Sequence, residues 1–386
     1  MKQRLFSKDF TLVVIGQVIS LFGNAIIRFA LPLYLLNATG SSALYGTVTA
    51  CAFIPAVLLS PIGGIIADRV NKRNIMVILD FFTAVVIIVF SLLMDGANLI
   101  LLLTVTLMLL YGIAGAYQPS VQASIPALTD QDSYMAANSI INTISSFASL
   151  AGPVLGGVLY SAYGLKPILW VCMVCFIMSA VMEIFIQIPF RKQALDGGIL
   201  KTAGADFAES VRFIRKEKPA IGKGVLIICG INLFLAAMII VALPYLITEV
   251  LDLEASQANR LYGFAEGALA AGGLAGGVGA GIFAKKLAVH KSGNLVIACA
   301  VCVFPIGISL MLFSSAIINY IVMTVCCFAI MVFSTLFTVQ MLSFIQTETP
   351  QYLIGKVIAV VLTVSMCAQP LGNALYGILF EICEGR

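Results

Sequence analysis

Long apolar stretches separated by short polar breaks dominate the chain, and their lengths predict membrane-crossing helices. Eleven runs lie at about residues 11–36, 44–67, 75–94, 99–127, 136–160, 167–189, 221–248, 257–284, 293–314, 317–345 and 353–380. Each reaches the ~20 residues that carry an α-helix across a bilayer. Transmembrane strands are shorter and alternate residue by residue, so a β-barrel is excluded. One segment breaks the pattern. Within the polar residues 191–220, Asp206 to Lys218 sets Phe207, Val211 and Ile214 at helical spacing against Glu209, Arg212, Lys216 and Glu217. This predicts a short amphipathic helix stopped by Pro219. The expected organisation is a six-span bundle over 1–190, a cytoplasmic linker over 191–220 and a five-span bundle over 221–386.

Composition narrows the class. The 386 residues are 61% apolar and 10% charged, with a mean hydropathy of +1.06. Soluble domains run near ~45–50% apolar and ~25% charged. A soluble enzyme, a secreted disulfide scaffold, a disordered chain and a nucleic-acid binder are all excluded. The basic residues are arranged by side. With the N-terminus inside, 18 of the 22 Lys and Arg residues fall on inside loops, and only Lys166, Arg260 and Arg386 fall outside; Arg28 lies within a span. This asymmetry predicts a multi-pass plasma-membrane protein with a cytoplasmic N-terminus. The net charge of +4 follows from that topology. The first run is too long for a signal-peptide core and reads as a retained span.

Several chemistries lack material. Cys172-x-x-Cys175 and Cys299-x-x-Cys302 sit inside spans with no matching His or second Cys pair, and read as small buried hydrophobes. The single His290 falls in a loop. No metal site, cofactor or catalytic cluster is expected, and without a P-loop pattern ATP does not drive this chain. The halves resemble each other: Tyr134, Asn138 and Pro153-x-x-Gly156 parallel Tyr352, Lys356 and Pro370-x-Gly372, and Gln122 parallels Gln340. Duplicated helical bundles are a recurring transporter architecture. Span six has no counterpart after span eleven, which leaves two readings: a chain truncated before a twelfth span, or one that works with eleven.

Gly64-Ile65-Ile66-Ala67-Asp68-Arg69-Val70-Asn71-Lys72-Arg73 resembles the signature loop of the major facilitator superfamily, Gly-x-Leu-x-Asp-Arg-x-Gly-Arg-Arg/Lys. Asn71 replaces the second Gly and is expected to tolerate a left-handed turn. A carboxylate beside cations at a membrane face can bind a neighbouring helix N-terminus. The resemblance implies that Asp68 contacts span eleven and favours an outward-facing state, with Arg69 and Arg73 as partners. Gly281 to Lys286 looks like a degenerate second copy, with Lys285 in the Asp position. Gly152-Pro153-Val154-Leu155-Gly156-Gly157-Val158-Leu159 resembles the antiporter motif of drug-exporting members; its glycines permit close helix approach and its Pro a bend. Tyr117-Gln118-Pro119-Ser120-Val121-Gln122, Ala137-Asn138, Gly16-Gln17, Ser20 to Gly23 and Thr39-Gly40-Ser41 resemble the macrolide-efflux branch. The resemblance implies an all-α, two-bundle membrane fold and proton-coupled export of an amphipathic, macrolide-like molecule by alternating access. A lipid or siderophore is the alternative cargo, and a non-transporting sensor or scaffold the alternative class. The partners implied are a small-molecule substrate, protons and the bilayer, for a monomeric protein.

Charges inside a membrane are costly and default to function. Arg28 and Glu266 lie ~12 Å and ~14 Å from the outer ends of their spans at helical rise. They are candidates for a pair that loads and releases a proton as it closes and opens; Arg28 snorkelling outward and Glu266 meeting a backbone group is the alternative. Asp80 and Glu183, near the inner ends of spans three and six, are expected to pair with cations such as Arg69 or Arg191, with proton carriage as the alternative. Asn24, Gln118, Gln122, Asn232 and Gln340 fall on spans that the resemblance places around a central cavity; Asn142 is on span five. The 24 Phe residues suit a bulky apolar cargo and equally a lipid-facing surface.

Overall fold

The computed structural model describes residues 7–96, 98–129, 134–188, 199–282, 292–350 and 353–383, and helices joined by short turns make up those residues. The helices are α1 (Lys8–Thr39), α2 (Ser42–Arg69), α3 (Lys72–Leu93), α4 (Leu99–Leu128), α5 (Tyr134–Tyr163), α6 (Leu165–Ile184), α7 (Ile199–Lys216), α8 (Pro219–Gly230), α9 (Ala237–Tyr245), α10 (Ala255–Ile282), α11 (Ser292–Leu312), α12 (Ala316–Glu348) and α13 (Ile354–Cys383). Two π-helical turns, Ile231–Ala236 and Leu246–Val250, join α8 and α9 into one span and extend it. Among the described residues ten helices are long and apolar enough to cross a membrane. Where the eighth span is expected lies the 28-residue helix α10, which is not among those ten. Its Gly and Ala, with Glu266 in their midst, make it less apolar than the ten.

The termini show why helices start and stop where they do. Ser7 caps α1 by accepting from the Phe10 N–H at 3.2 Å. Gly40 closes α1 at φ 62°, its N–H donating to Leu36, a left-handed position that glycine adopts without strain. Asn71 departs from expectation. It is not left-handed but sits at φ −59° as the N-cap of α3, its side chain accepting from the Arg73 N–H at 3.1 Å. An Asx side chain satisfies a free helix donor better than a Gly can. The amphipathic helix also differs. It begins earlier than Asp206 and ends at Lys216, and Pro219 opens α8 instead of stopping α7, a first-turn site where its missing N–H costs nothing.

The chain divides into two compact units, Met1–Ala194 with Glu381–Arg386, and Leu195–Phe380. In the first, Ile27, Leu31 and Leu35 of α1 pack with Ile87 and Phe90 of α3, Leu103 and Leu107 of α4, and Leu169 and Phe176 of α6. Glycines let the helices close up. A methyl group on Gly115 of α4 would meet the Ala56 carbonyl of α2 at 2.9 Å. In the second, Phe337, Met341 and Ile345 of α12 pack with Ile221 and Val225 of α8 and Val357 and Val361 of α13. Phe213 and Ile214 of α7 are buried in that same core, so α7 packs as part of the second unit. Here the glycines are on α10: methyls on Gly272 and Gly276 would meet the carbonyls of Phe328 and Val332 on α12 at 2.6 and 2.7 Å.

Candidate functional site

Helix α1 carries a polar stripe, Gln17, Ser20, Asn24 and Arg28, at helical spacing through a membrane span. Its lower half is the best-defined polar site in the structure. Gln17 Nε2 donates to the Tyr117 hydroxyl of α4 at 2.7 Å, and that hydroxyl donates to Glu183 Oε1 of α6 at 2.6 Å. Beside this chain, Ser20 donates to Asp80 Oδ1 of α3 at 3.0 Å, and Ser179 of α6 donates to the Gly16 carbonyl at 3.1 Å. Gly16 makes room for this: a methyl there would lie 3.5 Å from Ser179 Oγ and 3.8 Å from Glu183 Oε1. Gln17 and Glu183 are fully buried and Asp80 is 2% exposed. Arg69 and Arg191, the cations expected to pair with these acids, lie outside the described side chains. No Lys or Arg among the described residues pairs with either carboxyl.

The upper half of the stripe is simpler. The Arg28 guanidinium stacks 3.6 Å above the Tyr111 ring of α4, a cation–π contact. Asn24 is half-buried, and its Oδ1 has no partner among the described residues. An adjoining face of α1 meets the antiporter-like segment of α5. A methyl on Gly152 would overlap Ala25, and one on Gly156 would come within 2.9 Å of Phe29. Pro153 lies within α5 and Gly157 is buried. Gln118 is half-buried and Gln122 exposed on α4, while Asn142 is exposed on α5.

The second unit repeats the theme with different residues. Glu266 is half-buried on α10 and accepts from the Tyr262 hydroxyl at 3.2 Å. Arg28 and Glu266 thus each hold an aromatic partner on their own unit. Asn232, in the first π-turn, donates to the Ser365 carbonyl of α13 at 2.9 Å. Gly372 of α13 packs on that turn, where a methyl would overlap the Leu233 carbonyl and Ala237. Gln340 is 8% exposed, and both its amide atoms lack partners among the described residues. An apolar groove of about 830 Å³ runs between this span and α11, lined by Ile231, Phe234, Val303, Phe304 and Gly307. Phe304 and Met311 stand exposed at its edge, so it is an open apolar groove and not an enclosed site.

The remaining candidates fall outside what is described. Gly64, Asp68 and Arg69 belong to the end of α2, but their side chains are outside the described ones. Arg73 donates to Asn74 at 3.2 Å. Lys285, Lys286 and His290 lie outside the described residues. The cysteine pairs are packed: Cys172 donates to the Gly23 carbonyl, and Cys299 to that of Ile330.

Gln17, Ser20 and Tyr117 fall in segments that resemble the macrolide-efflux branch and Ser179 does not, but the sequence does not mark the four as one buried network. The signal that finds them is joint: polar residues three and four apart on α1, matched by Ser179 and Glu183 four apart on α6.

Known proteins share both the sequence and the fold. The chain is 25% identical over 369 residues to macrolide efflux protein A of Streptococcus pyogenes, covering 93% of this chain and 86% of that protein. It is 22% identical over 384 residues to the multidrug efflux pump Tap of Mycobacterium bovis, covering 96% and 86%. The nucleoside transporter NupG superposes with a TM-score of 0.76 at 11% identity, over 97% of this chain and 92% of that one. The sequence model of the Major Facilitator Superfamily matches residues 13–373. This chain is a multi-span membrane transporter, not an enzyme, and belongs to the Major Facilitator Superfamily.

Proposed function

We propose that the protein exports amphipathic small molecules of the macrolide class across the plasma membrane in exchange for protons. The observation that carries this reading is similarity to two efflux proteins along nearly the whole chain. The packing of Gly152 and Gly156 against Ala25 and Phe29 supports it. Motion at that contact would shift α1, whose polar stripe supplies candidate cargo contacts in Asn24 and Arg28. Glu266 and Arg28 are candidate proton-linked charges, and Gln118, Gln122, Asn232 and Gln340 are candidate cargo contacts. The transport cycle is alternating access, with the N-terminus cytoplasmic and the Asp68 segment controlling the conformational balance. The monomer is the working unit.

Accumulation of a labelled macrolide in cells expressing the protein tests this. The expected result is lower accumulation than in control cells, abolished by a protonophore. Accumulation equal to control cells sinks the drug assignment and turns attention to lipid or siderophore cargo.

A further inference from the structure

We infer that Asp80 and Glu183, with Tyr117, Gln17, Ser20 and Ser179 around them, form a proton-binding site inside the first unit. The inference deepens the proton-exchange reading above and rests on it.

The geometry that carries it is an imbalance of donors and acceptors. Around the cluster three buried oxygens have no donor among the described residues: Gln17 Oε1, Asp80 Oδ2 and Glu183 Oε2. A buried acceptor left unpaired costs free energy, and two buried carboxylates with no cation among the described residues cost far more. One proton lowers both costs. On either carboxyl it removes a negative charge and turns an orphaned acceptor into a donor. The groups facing the pair come from every helix packed on it. Helix α1 offers the neutral Gln17 and Ser20, α3 Asp80 itself, α4 the Tyr117 hydroxyl and α6 Ser179 with Glu183. Among the described side chains helix α5 brings no titratable group here; its Tyr160 bonds Asn37 at the other end of the unit. The described charges nearest along α1 and α3 are Lys8, Asp9, Lys72 and Arg73 at their first turns and Arg28, eight residues beyond Ser20 on α1; Asp9 is engaged by the Gln187 N–H and Arg28 by the Tyr111 ring.

The site is closed in this structure. Phe10, Val13, Met76 and Ile186 pack with Tyr117, Leu128 and Ile188 into one apolar layer. Leu128 and Ile188 also wall a polar recess of about 470 Å³ lined by Ser7, Asp9, Asn71 and Arg73. A proton leaving the carboxyl crosses this layer to water: the O–H bond breaks, water takes the proton, and a carboxylate remains. Exchange therefore requires α1 to move against α3 and α6, the motion that a transport cycle supplies. The Tyr117 hydroxyl, bonded to Gln17 and Glu183 together, reports that motion to the acid.

Infrared difference spectra of the purified full-length protein, between low and high pH and in sodium or choline buffer, test the site directly. The expected result is a protonated-carboxyl band that disappears at high pH, identical in both salts, and diminished in Asp80→Asn and in Glu183→Gln. Glu266→Gln, in the other unit, leaves that contribution in place. Should a carboxyl variant fail to fold, Tyr117→Phe keeps the ring and removes only the hydroxyl; it is expected to shift the band. A band unchanged in all three cluster variants overturns the inference, as does one that follows sodium and not pH. Labelled macrolide efflux separates this from the broader reading. Efflux that stays fully protonophore-sensitive in Asp80→Asn and Glu183→Gln removes the site but leaves proton exchange standing. A titrating band in a protein that moves no macrolide keeps the site and removes the drug assignment.

Discussion

At the scale of single residues, the helix contacts are set by glycines, and what matters is what each one touches. Gly152 and Gly372 stand where a methyl group would overlap Ala25 and the Leu233 carbonyl, whereas Gly277 has nothing within 4 Å. Overpacking a tight contact costs about 1–3 kcal/mol, while Gly→Ala in an open helix position gains up to about 1 kcal/mol. Gly152→Ala and Gly372→Ala are therefore expected to lower the thermal unfolding midpoint in detergent, and Gly277→Ala to hold or raise it. Equal midpoints for all three would refute the contact assignment. The sequence marks Gly152 through its motif and Gly372 only through a weak repeat. It gives no sign that Gly277 differs from Gly276, whose methyl would meet the Val332 carbonyl at 2.7 Å. Glycines look alike in a sequence because the distinction resides in the neighbouring helix. Asn71 makes the same point: the residue type suits both a left-handed turn and a helix cap, and only the backbone chooses.

At the scale of elements, apolar run length was sufficient to place eleven long helices among the described residues, ten of which are long and apolar enough to cross a membrane. The expected edges fall within a few residues of the observed helices, because ending a helix inside a bilayer leaves backbone groups unpaired. Inside the spans the reading was poorer. The two π-turns had no sequence mark, and α7 began earlier than its charge pattern showed. Helix α7 also illustrates which contacts hold an element. Phe213 is 4% exposed in the second unit's core, while the Glu209–Lys356 pair at 2.9 Å is 48% and 35% exposed. Truncating a buried Phe costs about 3–5 kcal/mol; an exposed ion pair is worth about 0–1 kcal/mol. Phe213→Ala should accordingly speed proteolytic cleavage within α7 several-fold, with Lys356→Ala close to the parent. The reverse ranking would show that charge, not burial, docks this helix. Arg28 offers a parallel case on α1. Replacing Tyr111 by Leu removes the ring under the guanidinium and about 0.5–2 kcal/mol of attraction. Export is expected to weaken if Arg28 contacts cargo from that position, and an unchanged transport rate would detach the residue from the cargo path.

At the scale of the molecule, the two units are variations on one plan, and the variation has a consequence for stability. In the first unit α3 shares the core of α1, α4 and α6, with Ile87 and Phe90 almost wholly buried against them. In the second, α11 takes the position that the repeat assigns to the partner of α3. It packs on α12, where Cys299 meets the Ile330 carbonyl, but the groove leaves its other flank open. Its apolar segment is 17% buried, against 39% for α3. The sequence shows two equally apolar spans here, because mean hydropathy cannot tell a helix clasped by neighbours from one facing lipid. Local opening follows buried contact, not hydropathy. Hydrogen exchange on the detergent-solubilised protein should therefore release the backbone amides of α11 well before those of α3, with α12 following α11 more closely than α4 follows α3. Filling the groove ought to narrow the gap. Gly307, which lines it and would carry a methyl into open space, is the place to add bulk, and Gly307→Leu is expected to slow exchange in α11 while leaving α3 unchanged. Simultaneous exchange of the two helices in the parent protein would mean that the open flank costs nothing and that the second unit is held by contacts other than those described for α11.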